Sequence, residues 1–326
     1  MDKILEVKNL LVTYKAGRKH VTAVDDISFF IEKGHAVGLV GESGCGKTSL
    51  GNAIMSLVPY ERGEIIFDGN NIDLLRRQNT FMDYRKNVQM IFQDPYASLN
   101  PRMNIGSAIM EVFVIHKLFR NKNDALKRTI ELLKIVGLEE DHIYRYPHEF
   151  SGGQRQRIGI ARALATSPSL VIADEPVSAL DVSIQVQVLN LFKSLQSKYG
   201  LSYLFISHDL SVVRYICDYV MVMYLGKIVE SGPISSVYTT PAHPYTLALL
   251  SSVPDIDLGI TARKDRKHRW RVILKGDVPS GGDKITGCRF HPRCNMARDI
   301  CKNVEPPKML MAPSWWSCCH FANKIM

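Results

Sequence analysis

The sequence has 326 residues, of which 46% are hydrophobic and 22% charged, and its formal net charge is +9. This composition excludes a disordered or fibrous chain, and the length suits about two domains. The apolar stretches are shorter than the roughly 20 residues of a membrane-spanning helix, and the N-terminus MDKILE lacks the apolar core of a secretory signal. We therefore expect a cytosolic protein that acts on a membrane, if at all, from its surface.

The predicted elements alternate between strands and helices. Short β-branched and aromatic runs at 5–7, 11–14 and 27–31 predict strands, and residues 36–40 (AVGLV) form a buried strand before a glycine-rich loop. Helix-spaced apolar residues cover 104–138, and a second helical run follows residue 151. Apolar runs at 170–173 and 203–206 are typical of parallel strands buried on both faces. The order predicts an α/β core with a helical insertion between about 95 and 165.

The glycine-rich loop at 41–48 (GESGCGKT) fits the phosphate-binding pattern, with a strand before it and a helix after it. Its glycines let backbone N–H groups close around phosphates, and the helix N-terminus adds positive potential. We expect Lys47 to reach the β- and γ-phosphates and the Thr48 hydroxyl to bind Mg²⁺. A chance glycine-rich turn is the alternative, and the full spacing disfavours it.

Two carboxylates end the apolar run at 170–175 (LVIADE). Asp174 is placed to help hold the metal, and Glu175 suits a general base that polarises the attacking water. An isolated Asp-Glu pair is more often a solvated loop. Its position after a buried strand, with a phosphate loop upstream, favours catalysis.

A second anion site is predicted at 150–154 (FSGGQ), where a serine and two glycines begin a helix. This segment resembles the signature motif of ABC ATPases. In that family the signature of one subunit closes over the γ-phosphate held by its partner. The resemblance implies that Ser151, Gly152, Gly153 and Gln154 act in trans.

Further motifs match the same family in order. Residues 178–181 (SALD) resemble its D-loop with Asp181, His208 its switch histidine, and Gln93 its Q-loop glutamine, which also helps hold Mg²⁺. Tyr14 fits the aromatic residue that stacks on adenine. Taken alone, His208 would more often be a packed histidine and Gln93 an ordinary loop amide, and a core tyrosine is the alternative for Tyr14. The implied ATP-binding residues are Tyr14, Gly41, Ser43, Gly44, Cys45, Gly46, Lys47, Thr48 and Ser49.

The family resemblance implies a RecA-like core with an N-terminal antiparallel β subdomain and a helical subdomain. Glu175, His208 and Gln93 would be its catalytic residues, and ATP and Mg²⁺ its cofactors. We expect an ABC ATPase domain at 1–254, with the helical subdomain at about 95–165, and a C-terminal extension at 255–326.

Two segments are similar to ATPase subunits of oligopeptide and dipeptide importers: 93–101 (QDPYASLNP) and 243–246 (HPYT) with the following LL and VP pairs. The DPYA sequence and 223–226 (MYLG) look more like the F-type subunit than the D-type. The resemblance implies a D-type partner ATPase, two transmembrane permease subunits, an extracytoplasmic substrate-binding protein and a peripheral place on the cytoplasmic face of the inner membrane. Nickel and other metal–chelate importers share this architecture, so the cargo stays open.

Five of the seven cysteines follow residue 287. Four thiolates can hold a [4Fe–4S] cluster or a tetrahedral Zn²⁺. The segment 287–294 (GCRFHPRC) resembles a cluster-binding module of some importer ATPases, which implies Cys288, Cys294, Cys301 and, before a histidine, Cys319 rather than Cys318. Reduced thiols without a ligand are the alternative.

The sequence does not favour a nucleic-acid role. The basic stretch at 263–271 is short with a single aromatic residue, and suits a solvated connector better. Soluble ABC ATPases that act on ribosomes or DNA carry two such domains or long coiled coils. With one domain and no heptad run, we expect no specific nucleic acid partner.

Overall fold

The computed structural model describes residues 2–17, 19–94, 96, 98–252 and 285–324. Outside these ranges lie Pro95 and Ala97 of the predicted Q-loop, the VP pair at 253–254 and the basic stretch at 263–271. The strands are β1 Lys3–Ala16, β2 Lys19–Glu32, β3 Ala36–Val40, β4 Arg62–Phe67, β5 Asn70–Asn71, β6 Val88–Ile91, β7 Leu170–Asp174, β8 Ser202–Ser207, β9 Tyr219–Tyr224, β10 Lys227–Pro233, β11 Met309–Ala312 and β12 Trp315–Ser317. The helices are α1 Lys47–Ile54, α2 Ile72–Arg77, α3 Phe81–Asn87, α4 Ile105–Ile115, α5 Lys122–Ile135, α6 Gly152–Leu164, α7 Val182–Tyr199, α8 Leu210–Ile216, α9 Ile234–Thr239, α10 Pro244–Ser252 and α11 Asp299–Asn303.

The N-terminal strands form an antiparallel sheet in the order β2-β1-β4-β5. The runs predicted as separate strands at 5–7 and 11–14 belong to one strand, β1, whose pairing with β2 shifts register several times. Leu5 and Val7 are buried while Glu6 and Lys8 are not, the alternation of a sheet with one covered face. The covered face packs in one apolar cluster with Val37 of β3.

The larger sheet has the order β11-β12-β10-β9-β3-β8-β7-β6. Five neighbouring strands, β9, β3, β8, β7 and β6, pair in parallel, while β10, β12 and β11 add an antiparallel edge. β3 is buried on both faces, since Leu39 lies in the cluster beneath the N-terminal sheet and Val40 in the cluster beneath the helices. The predicted parallel core strands are confirmed.

Helices α4, α5 and α6 lie between β6 and β7, within the predicted insertion. The run predicted at 104–138 is two helices, because the chain turns after Ile115 with Lys117 at φ 52°. Asparagine side chains start both: Asn104 accepts from the Ser107 N–H at 2.8 Å and Asn121 from the Asn123 N–H at 2.9 Å. Among the described helices, none has the length and apolar character to cross a bilayer.

Parallel strands bring their C-terminal ends to one edge of the sheet. β3 ends at the phosphate loop, β7 ends at Asp174 before Glu175, and β8 ends just before His208. Gln93 follows β6 by two positions. Residues distant in sequence therefore meet at this edge, where ligands of open α/β sheets bind.

Candidate active site

The phosphate loop packs too tightly against the sheet for side chains at two of its glycines. Gly46 begins α1 at φ 109°, and a Cβ there would lie 2.0 Å from the carbonyl oxygen of Ala23. A Cβ on Gly41 would lie 2.2 Å from the carbonyl oxygen of Met223. Gly41 and Gly46 are thus required by the packing of the backbone around them.

Lys47 is only 5% exposed, and its ammonium donates to the carbonyl oxygens of Gly41 and Glu42 at 2.8 and 3.0 Å. The next residue, Thr48, donates its hydroxyl to Asp174 Oδ1 across 3.3 Å. Burial raises the pKa of Asp174, and the hydrogen bond from Thr48 opposes that shift. The arrangement places an ammonium beside a hydroxyl–carboxylate pair, the donor set that phosphate and Mg²⁺ need.

Glu175 occupies the turn after β7 in the left-handed region, at φ 45°. Such a backbone is costly for a glutamate and persists where surrounding contacts hold it. Its N–H donates to the Ile206 carbonyl at 2.9 Å. Its carboxylate accepts from Gln93 Nε2 at 3.1 Å and lies 3.0 Å from Nδ1 of His208. The three residues predicted to be catalytic therefore form one contact group.

A cleft of about 720 Å³ opens over this group, a size typical of small-molecule sites. Tyr14 lies at its margin, partly exposed. Among the predicted residues, Tyr14, Gly41, Ser43, Gly44, Cys45, Gly46, Lys47, Thr48, Ser49, Gln93, Glu175 and His208 line the cleft. Asp174 does not line it and contacts it through Thr48.

Sequence reasoning missed other lining residues: Val21, Thr22, Ala23, Glu42, Leu225, Gly226 and Leu249. Three come from β2, which follows Tyr14 in the antiparallel sheet, and two follow β9 at the same sheet edge. The strand pattern locates both segments. The mostly apolar residues of these two segments carry no chemical signal of their own.

The predicted signature begins α6, with Ser151 as the N-cap. Its hydroxyl accepts from the Gln154 N–H at 3.3 Å, and Gln154 Oε1 accepts from the Ser151 N–H at 3.0 Å, a capping box. Neither these residues nor Gly152 and Gly153 line the cleft. Asp181, the N-cap of α7, is also exposed and outside it. The chain brings none of the five to its own cleft.

Four cysteine side chains line a second, small cavity: Cys288, Cys294, Cys301 and Cys319. Burial raises the pKa of Cys288 to about 12 and that of Cys319 to about 11, and the neighbouring thiols add to both shifts. Cys318 is not in the lining. In the part of the chain that the structure describes, no group of three or more His, Cys, Asp or Glu side chains could hold a single metal ion.

Comparison with known proteins places the chain in a family. Residues 24–178 match the ABC transporter model, and residues 229–301 match the model of the oligopeptide/dipeptide transporter C-terminal region. The oligopeptide transport ATP-binding protein AppF of Bacillus subtilis is 50% identical over 98% of this chain and 95% of its own. OppF of the same organism is 54% identical over 78% of this chain and 83% of its own.

Solved structures agree on the fold. A dimer of the ATP-binding cassette MJ0796, in a post-hydrolysis state with ADP and Pi, is 28% identical and superposes with a TM-score of 0.64. The match covers 71% of this chain and 98% of that one. The chain has the ABC ATPase fold and belongs to the ABC transporter family, in the group of oligopeptide transport ATP-binding proteins.

Proposed function

We propose that this chain is the F-type ATPase subunit of an oligopeptide importer, and that it hydrolyses MgATP to drive uptake. The observation that carries the proposal is the convergence at one sheet edge of Lys47, the Thr48–Asp174 pair and the Glu175 group. Relatives of about this length that are named for oligopeptide transport support the cargo class.

In the proposed reaction, Lys47 and the loop N–H groups hold the β- and γ-phosphates. Thr48, Asp174 and Gln93 would hold Mg²⁺ through their side-chain oxygens, and the bound ion would neutralise the developing phosphate charge. Glu175 accepts a proton from the attacking water, and His208 contacts the γ-phosphate. Tyr14 stacks on adenine at the margin of the cleft.

The signature residues complete a partner's site. Ser151, Gly152, Gly153 and Gln154 lie outside this chain's cleft, as a head-to-tail arrangement requires. The outward N–H groups at the start of α6 suit a γ-phosphate that another subunit presents. We assign that subunit to the D-type, with Asp181 at the contact between the two.

The remaining assembly follows from the importer assignment. Two transmembrane permease subunits and an extracytoplasmic substrate-binding protein complete it, with this chain peripheral on the cytoplasmic face of the inner membrane. Residues 1–254 form the ATPase domain, with a helical subdomain at about 95–165, and residues 255–326 form the C-terminal extension.

The test is reconstitution of the complete transporter in proteoliposomes. We expect ATP-dependent uptake of a labelled tetrapeptide, abolished when this subunit carries Glu175→Gln. Uptake of a nickel chelate but not of peptide would move the assignment to the metal–chelate importers. ATPase activity stimulated by RNA or DNA, in a chain that fails to assemble with permease subunits, would overturn the importer role.

For the cysteine-rich tail we propose a structural [4Fe–4S] cluster held by Cys288, Cys294, Cys301 and Cys319. The donor set fits, since four largely buried thiols face one cavity and thiolates are the ligands such clusters use. Among the described residues no group of His, Cys, Asp or Glu side chains is placed to hold a metal ion, so the proposal rests on the four thiols and the cavity they share.

Anaerobic purification followed by iron and acid-labile sulfide assays tests the cluster. We expect about four irons and four sulfides per chain, lost in Cys294→Ser and retained in Cys318→Ser, the control outside the cavity. Stoichiometric zinc without sulfide would contradict the proposal.

A further inference from the structure

Glu42, the second residue of the phosphate loop, is paired with an arginine from the far end of the chain. Arg293 donates from Nη1 to Glu42 Oε2 at 2.6 Å and from Nη2 to Oε1 at 3.0 Å. Arg293 is only 7% exposed. Two parallel charged hydrogen bonds fix orientation as well as distance, so this pair holds the Glu42 carboxylate in one place.

The backbone at Glu42 is held as well. Its N–H donates to the hydroxyl of Tyr245 at 2.9 Å, and its carbonyl accepts from Lys47 Nζ at 3.0 Å. Lys47 therefore contacts the loop from the phosphate side, while Tyr245 and Arg293 contact it from the C-terminal part of the chain. Both faces of this short loop segment are constrained.

The segment that carries Arg293 is itself rigidly packed. Phe290 is buried, and its ring lies 5.3 Å from the ring centroids of both Tyr224 and Tyr245. Arg289 binds Asp25 and the carbonyl oxygen of Leu225, which lines the cleft. Residues 289–293 thus contact the ATPase domain at three places: the phosphate loop, β2 and the turn after β9.

Breaking the ion pair between Glu42 and Arg293 would be costly, because both charged groups are at least partly buried. The Glu42 carboxylate raises the pKa of Arg293, as expected for a buried cation with one close counter-ion. Removing the guanidinium would leave a partly buried carboxylate unpaired at the mouth of an anion site. An unpaired negative charge there both repels phosphate and frees the loop to move.

We propose that Arg293 is a positioning residue of the ATP site, which holds Glu42 and hence the phosphate loop in the conformation that binds the β- and γ-phosphates. Tyr245 is a second support of the same segment. The inference rests on the proposed ATP binding and adds to it: the C-terminal extension contributes directly to nucleotide affinity. A purely structural arginine would stabilise the fold without this effect.

The test measures MgATP affinity on the full-length chain and steady-state ATPase kinetics on the assembled transporter that contains it. Arg293→Gln is expected to weaken affinity about tenfold and raise the KM for ATP equally, with kcat per folded molecule within about twofold. Arg293→Lys keeps the charge but loses the bidentate geometry, and is expected to recover part of the affinity. Lys302→Gln, which removes an exposed positive charge from the same tail, is the control and is expected to behave as wild type.

A double-mutant cycle separates positioning from folding. Glu42→Gln with Arg293→Gln leaves neither charge unpaired, so its affinity is expected to exceed that of Arg293→Gln alone. Tyr245→Phe removes only the hydroxyl that accepts from the Glu42 N–H, and it tests the inference if Arg293→Gln does not fold. We expect this variant to lose MgATP affinity a fewfold. Folded variants with a lowered melting temperature but wild-type affinity and KM would overturn the inference. A wild-type chain that binds no MgATP would instead contradict the proposed function.

Discussion

Gln93 Nε2 donates to Glu175 Oε2 across 3.1 Å and so joins the loops that follow two neighbouring strands, β6 and β7. The contact orients the carboxylate of a residue whose backbone is already confined at φ 45°. A loop that moves with Gln93 would therefore also move the proposed base. The helical insertion begins after Gln93. The amide–carboxylate contact therefore links the start of this insertion to the proposed base.

Replacing Glu175 by glutamine is expected to keep the shape of the site and remove its base. MgATP affinity should stay within about twofold of wild type, while turnover falls by about 100-fold or more. Equilibrium nucleotide binding and phosphate release measure the two quantities. Glu131→Gln on the surface of α5 is the matched control. Undiminished hydrolysis would remove Glu175 from the catalytic role.

Thr48→Ala removes the hydroxyl that contacts Asp174 and is proposed to bind Mg²⁺. We expect the Mg²⁺ concentration for half-maximal ATPase activity to rise about tenfold, since one oxygen ligand is lost. Thr48→Ser keeps the hydroxyl and should behave nearly as wild type. An unchanged Mg²⁺ requirement in Thr48→Ala would place the metal elsewhere.

Ser151 combines a helix cap with a proposed contact in trans, and two substitutions separate these roles. Ser151→Ala loses the cap, at a cost of about 1 kcal/mol in the free energy of unfolding. Ser151→Asp keeps a capping oxygen and stability but adds a negative charge toward the partner's γ-phosphate. We expect the Asp variant to lower turnover of the assembled transporter more than about tenfold.

The isolated Ser151→Asp chain supplies the control. Its MgATP affinity should equal that of wild type, because Ser151 does not line its own cleft. A weakened affinity in the isolated subunit would show that the signature acts in cis.

Glu230 joins the end of the chain to β10. It is fully buried and accepts from the Ala242 and His243 N–H groups at 2.8 and 2.9 Å and from Trp315 Nε1 at 3.0 Å. A glutamine there would turn an amide donor toward groups that already donate. We expect Glu230→Gln to lose about 3 kcal/mol in the free energy of unfolding, measured by urea titration.

The exposed Glu305, paired with Lys227, is the control for that measurement. Glu305→Gln should cost less than about 1 kcal/mol, because solvent screens an exposed ion pair. Equal losses in both variants would contradict the special role of the buried carboxylate.

Local patterns in the sequence predicted the α/β core, the phosphate loop and the Asp174–Glu175 pair, whereas Gln93 and His208 were predicted from the resemblance to ABC ATPases. Each of the predicted catalytic residues follows a short apolar strand, and parallel strands bring such residues together. Boundaries were less accurate: a left-handed residue, Lys117, divides the predicted helical run, and β1 is continuous where two strands were expected.

Contacts between distant segments could not be predicted in this way. Arg293 was noted only as part of a cysteine motif, and nothing near Glu42 indicates that its partner lies 251 positions later. Leu249 likewise lines the cleft although it belongs to α10, which is distant in sequence from the phosphate loop. Such pairs depend on the tertiary arrangement of the sheet, which leaves no periodic trace in the sequence.

The 251-residue separation of Glu42 and Arg293 has a consequence for biosynthesis. A ribosome delivers the phosphate loop long before it delivers the guanidinium, so the nascent loop emerges without its counter-ion. A chain cut short after α10 would retain every ATPase motif and still lack that partner. On the proposed role of Arg293, the nucleotide site therefore reaches its full ATP affinity only when the C-terminal segment has been synthesised. A premature stop codon late in the message would weaken ATP binding at a loop near the N-terminus.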